Sequence, residues 1–406
     1  MFSEFAQITC DSAETQKSGM SKKLKAVVVG AGWSAEGHTK AFQHYGVEVL
    51  AICARKPDVV QKVAAGLGVP EASTDWRKSL LKHKPDIVAL TTPAILRTEV
   101  IELAVELGCH IISEKPLALT AAEAEHIYNL IKDTGLKHGF AATHLYDPSV
   151  AYVRELLTEQ HIIGELTAVD IGYSRRISHN TSSNTVKPWN WMSSLAHGGG
   201  ALNNGLTHRL GMLERMTGMK VVSAVGEAKT AIRKAPVVPE IRDFRVWRSK
   251  EITTEEASKL EWRVCDAEWD YSAFFKLRSS ETVDTENSIL ATMRTNPGVP
   301  THAPTGGWYF YGTRGTLVGR GGHILSPLTK HTGETSEELS VPQILTDDLP
   351  RIGDDIQNKW VALVRDFLTD IEDRPHDPYL TFQDGWRYQI AIDAIRTSTG
   401  WTQIPG

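Results

Sequence analysis

The feature that most constrains the fold of this chain is a short apolar strand followed at once by a glycine-rich turn. Residues 24–29 form a valine-rich run, typical of a strand buried on both faces. In the G-x-G-x-x-A pattern that follows, the first glycine permits a tight turn, the second lets the backbone approach a pyrophosphate, and the alanine lets the next helix pack closely. A helical pattern and another strand come next, so the segment predicts a dinucleotide site. Its expected cofactor-binding residues are Gly30, Gly32, Trp33, Ser34 and Ala35.

Strand and helix patterns then alternate for more than a hundred residues. This alternation predicts an α/β fold, with a doubly wound parallel sheet over residues 22–145. Ligands of such sheets bind beyond the carboxyl ends of the strands. The predicted strands are 24–29, 47–53, 86–91, 109–113 and 137–143, and the predicted helices are 35–45, 59–66, 75–82, 97–107 and 121–134.

The pattern changes after residue 145, where strands follow one another without intervening helices. Consecutive strands separated by turn residues indicate an antiparallel or mixed sheet. We therefore expect residues 146–406 to form a second α/β domain that binds substrate. Its predicted strands are 164–174, 221–228, 269–278, 288–294 and 308–318, its closing helices are 352–371 and 382–399, and its expected specificity loops are 176–197 and 229–266.

The residues after the second strand bear on the choice of cofactor. A carboxylate at this point would bind the adenosine ribose and repel a 2′-phosphate. The sequence instead has Ala54 followed by Arg55 and Lys56. This arrangement favours NADP, with NAD as the alternative; a solvated basic turn would carry the same residues.

Other strand ends carry further candidate residues. Thr92 and Pro93 follow one strand, and Glu114 and Lys115 follow another. A lysine in this position can polarise a substrate oxygen beside a nicotinamide. An isolated Glu-Lys pair would more often be a surface ion pair, but here the surrounding fold favours the site.

Composition restricts the classes of protein to which the chain can belong. The chain has 406 residues, and its net charge of -5 argues against nucleic-acid binding. It contains no apolar run long enough for a membrane helix. Cys53 and Cys109 indicate buried thiols, which suit a cytoplasmic location. Residues 1–21 lack the features of a secretory signal and predict a loosely ordered tail. No cysteine or histidine cluster has metal-ligand spacing, so we expect no metal site.

Three motifs together resemble one family. The chain has GAGWSA from residue 30, EKP from residue 114 and HGGGALNNGLTH over residues 197–208, in the order and at the spacing of the Gfo/Idh/MocA oxidoreductases. The resemblance implies a Rossmann domain followed by an α/β domain with a large open, mostly antiparallel sheet. It also implies a homodimer or homotetramer built through that sheet, and a C-terminal helix, 382–399, packed back on the Rossmann domain.

The resemblance also implies roles for particular residues. Lys115 and His208 match the family's catalytic lysine and histidine, whereas Asn204 stands where the family usually has aspartate. Asn204 and His208 are four positions apart and would share a helix face, where the amide can orient the imidazole or a sugar hydroxyl. His208 would take or return the hydroxyl proton while Lys115 holds the same oxygen.

Four further residues are candidates for ligand contacts. Arg97 lies near a position where the family often has histidine, and it either contacts the cofactor or begins a helix. His144 is a candidate for contact with nicotinamide or substrate. Trp189 and Trp191 would pack against sugar rings, although tryptophans more often belong to a core.

These observations predict an NAD(P)-dependent oxidoreductase that acts on a secondary alcohol or ketone of a sugar, cyclitol or related compound. Two alternatives remain open. One is a non-catalytic regulator that binds NADP, which the replacement of aspartate by Asn204 favours mildly. The other is an enzyme that keeps NAD tightly bound and uses transient oxidation for hydrolysis, elimination or epimerisation.

Overall fold

The structure is a computed structural model that describes residues 23–174, 184–241, 243–279, 288–296, 306–322 and 324–406. The predicted tail at 1–21 and the beginning of the expected loop 176–197 lie outside the described residues. The N-terminal half begins with alternating strands and helices. In chain order these are β1 (Lys25–Val29), α1 (Trp33–His44), β2 (Glu48–Cys53), α2 (Pro57–Gly66), β3 (Glu71–Ser73), α3 (Trp76–His83), β4 (Ile87–Leu90), α4 (Thr98–Glu106), β5 (His110–Ser113), α5 (Ala121–Ile131) and β6 (His138–Phe140).

The described strands of this half form one six-stranded parallel sheet in the order β3-β2-β1-β4-β5-β6. The predicted doubly wound fold is thus confirmed. Strand β1 lies in the centre, and its residues 26–29 are at most 3% exposed, as expected for valine-rich sequence covered by helices on both faces. The strand order reverses between β1 and β4, so a crevice opens at their carboxyl ends.

The second half contains one large sheet and several short elements. Short 3-10 turns lie at Ala94–Leu96 in the first half, at Thr143–Tyr146 between the halves, and at Trp191–Ser193 and Leu195–His197 in the second half. The remaining elements are α6 (Pro148–Thr158), β7 (Leu166–Ser174), β8 (Thr185–Val186), a π-helical turn (Leu202–Leu206), α7 (Thr207–Thr217), β9 (Met219–Lys229), β10 (Lys234–Pro236), α8 (Phe244–Ser249), β11 (Ile252–Thr253), α9 (Thr254–Ser258), β12 (Trp262–Val264), β13 (Asp270–Ser279), β14 (Ile289–Asn296), β15 (Gly306–Gly312), β16 (Gly315–Arg320), β17 (Leu328–Thr332), β18 (Thr335–Leu339), α10 (Gln343–Asp347), α11 (Asp355–Ile371), α12 (Phe382–Thr397) and β19 (Thr402–Gln403).

The large sheet of this half has nine strands among the described residues, in the order β18-β17-β16-β15-β7-β14-β13-β9-β19. Only the β14–β7 pair is parallel among these described pairings, so the predicted mostly antiparallel sheet is confirmed. Side chains alternate along β13: Tyr271, Ala273 and Phe275 are buried, whereas Phe274 on the other face is half exposed. One face therefore belongs to the core, and the other is open within this chain.

Two C-terminal helices return to the first sheet. Helix α11 packs against α1 and contributes Val361, Val364 and Phe367 to the core that covers β1. Helix α12 lies between α5 and β9, and its Asp393 Oδ2 accepts a hydrogen bond of 2.6 Å from the backbone N–H of Ala121. The domain boundary at 145 stays a prediction, because the chain crosses back to the first sheet after it.

Candidate active site

A cleft of about 1370 Å³ opens where the two halves of the chain meet. The glycine turn after β1 and the ends of β4 and β5 line one side. The π-helical turn and the first turn of α7 line the other. The cleft thus lies at the carboxyl ends of the parallel strands, which is where ligands bind in this architecture.

The turn after β1 has the shape required to hold a diphosphate. Gly30 has φ +130°, and a Cβ built on it would lie 2.1 Å from Oγ1 and 2.8 Å from the carbonyl carbon of Thr91, so no side chain fits there. A Cβ on Gly32 would meet nothing within 4 Å, and Gly32 lines the cleft. Helix α1 starts at Trp33 without a side-chain cap, so its first N–H groups are available to an anion. The residues present therefore fit a dinucleotide.

One predicted member of this turn does not reach the cleft. Ala35 is fully buried, unlike Trp33 and Ser34, which line the cleft. We predicted Ala35 as a cofactor-binding residue. Its place in the helix instead permits the close packing of helix and strand, so its contribution to binding is indirect.

The basic residues after β2 also face the cleft. Arg55 and Lys56 are exposed and line it, together with Lys62 from α2. Helix α2 begins at Pro57, directly after these two cations. A cationic surface at a helix N-terminus favours a bound anion.

Lys115 and Asn204 meet across the cleft. The lysine Nζ donates a hydrogen bond of 2.6 Å to Asn204 Oδ1, although the residues are 89 positions apart. Asn204 Nδ2 in turn donates to the carbonyl oxygen of Gly198 at 2.6 Å. An aspartate could accept from the lysine but could not donate to that carbonyl, so the amide suits both neighbours. Burial lowers the pKa of Lys115, aided by Arg97 and opposed by Glu114.

His208 follows one helical turn after Asn204 and lines the same cleft. Its imidazole is 8% exposed, and its ring centroid lies 4.0 Å from that of His144. Asn204 itself lies in the π-helical turn that precedes α7. Such turns often occur at functional sites, since they re-aim side chains. The cleft thus combines Lys115, Asn204, His208 and His144.

Glu114 has partners that no local sequence pattern indicates. Its Oε1 accepts a hydrogen bond from Trp360 Nε1 at 2.9 Å, and His38 Nε2 lies 3.2 Å from the same oxygen. Burial alone would raise the pKa of Glu114, but the hydrogen bond with His38 and the charge of Lys115 together hold it below its usual range. Glu114 lines the cleft as an ionised group fixed by neighbours on two helices.

Arg97 is buried at the border of the cleft and binds backbone carbonyl groups. It is 3% exposed and donates to the carbonyl oxygens of Thr92, Glu114 and Pro116. Because these hydrogen bonds go to backbone carbonyl groups of both segments, Arg97 links the segment after β4 to the segment after β5. It also stands at the start of α4, as the second predicted option has it, and it borders the cleft, so contact with the cofactor stays a prediction.

Trp189 and Trp191, the two tryptophans predicted to contact sugar rings, line the cleft, as do Thr92 and Pro93 on the opposite side. Trp189 donates through Nε1 to the carbonyl oxygen of Val264 at 3.1 Å, so this tryptophan is held by the segment 229–266.

Helix α8 in that segment reaches the dinucleotide turn. Phe244 stacks on Trp33 at a centroid distance of 5.9 Å, and Arg245 forms a 3.0 Å ion pair with Glu36. The expected specificity loop 229–266 therefore contacts the dinucleotide-binding half of the chain as well as its own half.

Sequence reasoning missed several residues of this cleft. Trp360 and Phe244 come from helices far from the motifs in sequence. His38 lies on the helix that follows the glycine turn, is fully buried, and acts on the cleft only through its contact with Glu114. A signal was available only for Arg209, a charged residue directly after His208 within an otherwise buried helix.

The described residues offer neither a metal site nor a membrane-spanning helix. No cluster of three or more His, Cys, Asp or Glu side chains in them has an arrangement suited to a metal ion. No helix within the described ranges combines the length and the apolar character needed to cross a membrane.

Two family models match the chain. The oxidoreductase family, NAD-binding Rossmann fold model matches residues 24–141, and the GFO/IDH/MocA C-terminal domain model matches residues 150–318. Together the two matches cover more than half of the chain.

Individual relatives are more distant. Levoglucosan dehydrogenase of Pseudarthrobacter phenanthrenivorans is 28% identical over 214 residues, which is 50% of this chain and 54% of that protein. The chain thus spans about half the length of this relative. An uncharacterized oxidoreductase of Synechocystis is 23% identical over 95% of this chain and 97% of its own. The solved structure of levoglucosan dehydrogenase with NADH and L-sorbose shares the fold, with a TM-score of 0.73, 20% identity, and coverage of 94% of this chain and 99% of that one.

Proposed function

The chain belongs to the Gfo/Idh/MocA oxidoreductase family, and from this premise we propose that it is a nicotinamide-dependent dehydrogenase acting on a polyhydroxylated compound. The reaction interconverts a secondary alcohol and a ketone of a sugar or cyclitol. The name of the relative levoglucosan dehydrogenase supports a sugar as the substrate class.

The observation that carries this proposal is the contact between Lys115 Nζ and Asn204 Oδ1, beside His208 and in the same cleft as the glycine turn. A bound nicotinamide would accept or supply the hydride. Lys115 polarises the substrate oxygen, and His208 takes its proton during oxidation or returns it during reduction. Asn204 keeps the lysine in place.

A substrate screen tests this function. Sugars and inositols are supplied with NAD and with NADP, and nicotinamide absorbance is followed. Net reduction of the cofactor with at least one compound supports a dehydrogenase. Product without a net change of absorbance would support the enzyme with transient oxidation, and cofactor binding without any product would support the regulator.

We further propose that NADP is preferred, because Ala54 replaces an acid and Arg55 and Lys56 face the cleft. The double variant Arg55→Ala/Lys56→Ala is expected to lower the ratio of kcat/KM for NADP over NAD by about ten-fold or more, since it removes charge-assisted contacts to the 2′-phosphate. The measurement is that ratio under identical salt conditions. Lys40→Ala, which removes an exposed charge of the same domain outside the cleft, is the control. An unchanged ratio in the double variant would refute the assignment.

We also propose that the open sheet face forms a homodimer or homotetramer. Phe274 and Leu290 are each 48% exposed, and Trp401 is 46% exposed with Lys276 over its ring. Exposed apolar groups of this size on one sheet favour association. Phe274→Glu is expected to shift the protein to monomers in size-exclusion chromatography with light scattering. Ile344→Glu, at an exposed apolar side chain outside the sheet, should leave the assembly intact. A monomeric wild type would contradict the proposal.

A further inference from the structure

Arg209 is a buried cation in the wall of the cleft. It follows His208 in α7, lines the cleft and is 2% exposed. Gly205 lies one turn earlier, and a Cβ built on it would be 3.2 Å from Arg209 Nη1. The guanidinium group therefore lies beside Gly205, in the lining of the cleft that also contains Asn204 and His208.

The neighbours of this guanidinium group are neutral. Nη1 donates to the hydroxyl of Tyr271 at 2.7 Å and to Oγ1 of Thr295 at 3.0 Å, and the ring of Tyr173 lies 4.6 Å from the guanidinium carbon. The buried Nε has no hydrogen-bond partner within the described part of the chain. Two hydroxyls and an aromatic face reduce the cost of burying the charge, but they do not neutralise it.

Other buried arginines of the described residues have different surroundings. Arg387 forms an ion pair of 3.1 Å with Glu214, and Arg97 donates to three carbonyl oxygens. Glu268, a buried acid in the cleft region, already pairs with Arg396 at 2.6 Å. Hence none of the described carboxylates lies within ion-pair distance of Arg209.

The sequence gives no counterion from the adjoining segments either. The residues that follow Tyr173 and Thr295 in the chain, 175–183 and 297–305, contain no Asp or Glu. The acidic stretch 280–287 joins the opposite ends of β13 and β14, since Leu277 pairs with Ile289 there and Tyr271 pairs with Thr295 at the end near Arg209. Six strand residues separate these ends by roughly 20 Å.

A buried, unpaired charge is strongly unfavourable, and proteins keep one where a ligand supplies the opposite charge. We propose that Arg209 binds the carboxylate of an acidic sugar, such as a uronate or an aldonate, whose secondary alcohol lies between Lys115 and His208. This inference rests on the proposed dehydrogenase function and narrows its substrate class. A planar guanidinium can hold a carboxylate through two parallel hydrogen bonds, and Nε of Arg209 is without a hydrogen-bond partner in the described residues.

Binding of matched ligands tests this inference without depending on turnover. Wild-type protein saturated with NADP or NAD is titrated with D-glucuronate and its neutral analogue D-glucuronamide, and with D-galacturonate and D-galacturonamide, by calorimetry. At least one acid is expected to bind about ten-fold or more tightly than its amide. Equal affinities in both pairs, or no binding by either member of either pair, would overturn it. Tighter binding of D-glucose 6-phosphate than of both acids would overturn the assignment to a carboxylate.

Variants then test whether Arg209 causes the tighter binding of the acid. Arg209→Met is expected to remove most of the difference between acid and amide, and Arg209→Lys to keep part of it. Arg248→Met, which removes an exposed cation of the same cleft, should leave the difference unchanged. Loss of the preference in Arg248→Met but not in Arg209→Met would overturn the inference. If Arg209→Met does not fold, the inference is tested by the Arg209→Lys variant and by the affinities of the ligand pairs for the wild type. An acid that binds but is never oxidised would reject the dehydrogenase proposal alone.

Discussion

Replacing Lys115 with methionine is expected to lower kcat by a factor of about 100 or more. Methionine keeps most of the side-chain volume but removes the ammonium group that holds the substrate oxygen, and the loss of one such contact typically has an effect of this size. The hydrogen bond of 2.6 Å to Asn204 shows that the ammonium group is already directed into the cleft. The measurement is single-turnover reduction of the nicotinamide with a substrate found in the screen, together with the Kd of the cofactor, which should change little. A kcat near that of the wild type would remove Lys115 from the mechanism.

The pH dependence gives an independent check on the same residue. Burial and the nearby Arg97 lower the pKa of Lys115 below the ordinary lysine value, against the opposing effect of Glu114. The protonated form holds the oxygen, so activity should fall as the pH rises through this lowered pKa. In Lys115→Arg the cation stays protonated, so whatever activity remains should lack this fall.

His208→Gln is expected to lower kcat by roughly 10²- to 10⁴-fold, since glutamine can donate a hydrogen bond but cannot take up the proton in place of the imidazole. The KM of the substrate should change far less than kcat. Steady-state kinetics with the best substrate of the screen measure both. His197→Gln is the matched control, because His197 is another histidine of the cleft, where its ring lies 3.0 Å from Ser194 Oγ. Equal losses in the two variants would contradict a specific role for His208.

The first half of the fold was predictable because its signals are local. An apolar run, a glycine turn and an amphipathic helix each extend over about ten residues, and the observed bounds of β2 and α5 lie within a few residues of the predicted ones. The hairpin of β17 and β18 was missed, because β18 is mostly exposed and its sequence TSEEL has no apolar alternation. The predicted strand 308–318 divides into β15 and β16, which pair across the turn between Gly312 and Gly315.

The candidate site was predictable only where a motif marked it. Lys115, Asn204 and His208 belong to recognisable segments, and the structure brings them into one cleft. The partners that fix Glu114 could not be predicted, since His38 and Trp360 are 76 and 246 positions away. Long-range pairs of this kind depend on how the helices pack against each other. The periodicity within either helix does not indicate that packing.

Helix α11 has a consequence for how the first sheet is completed during synthesis. It supplies five apolar side chains to the core beside β1, namely Val361, Leu363, Val364, Phe367 and Leu368. Burial of each contributes about 1.5–3 kcal/mol, so together they are comparable with the 5–15 kcal/mol that stabilises a whole domain. A nascent chain that has left the ribosome only as far as residue 145 therefore has every strand of the parallel sheet but a bare hydrophobic flank. We expect this flank to be covered only after the emergence of a segment more than two hundred codons downstream.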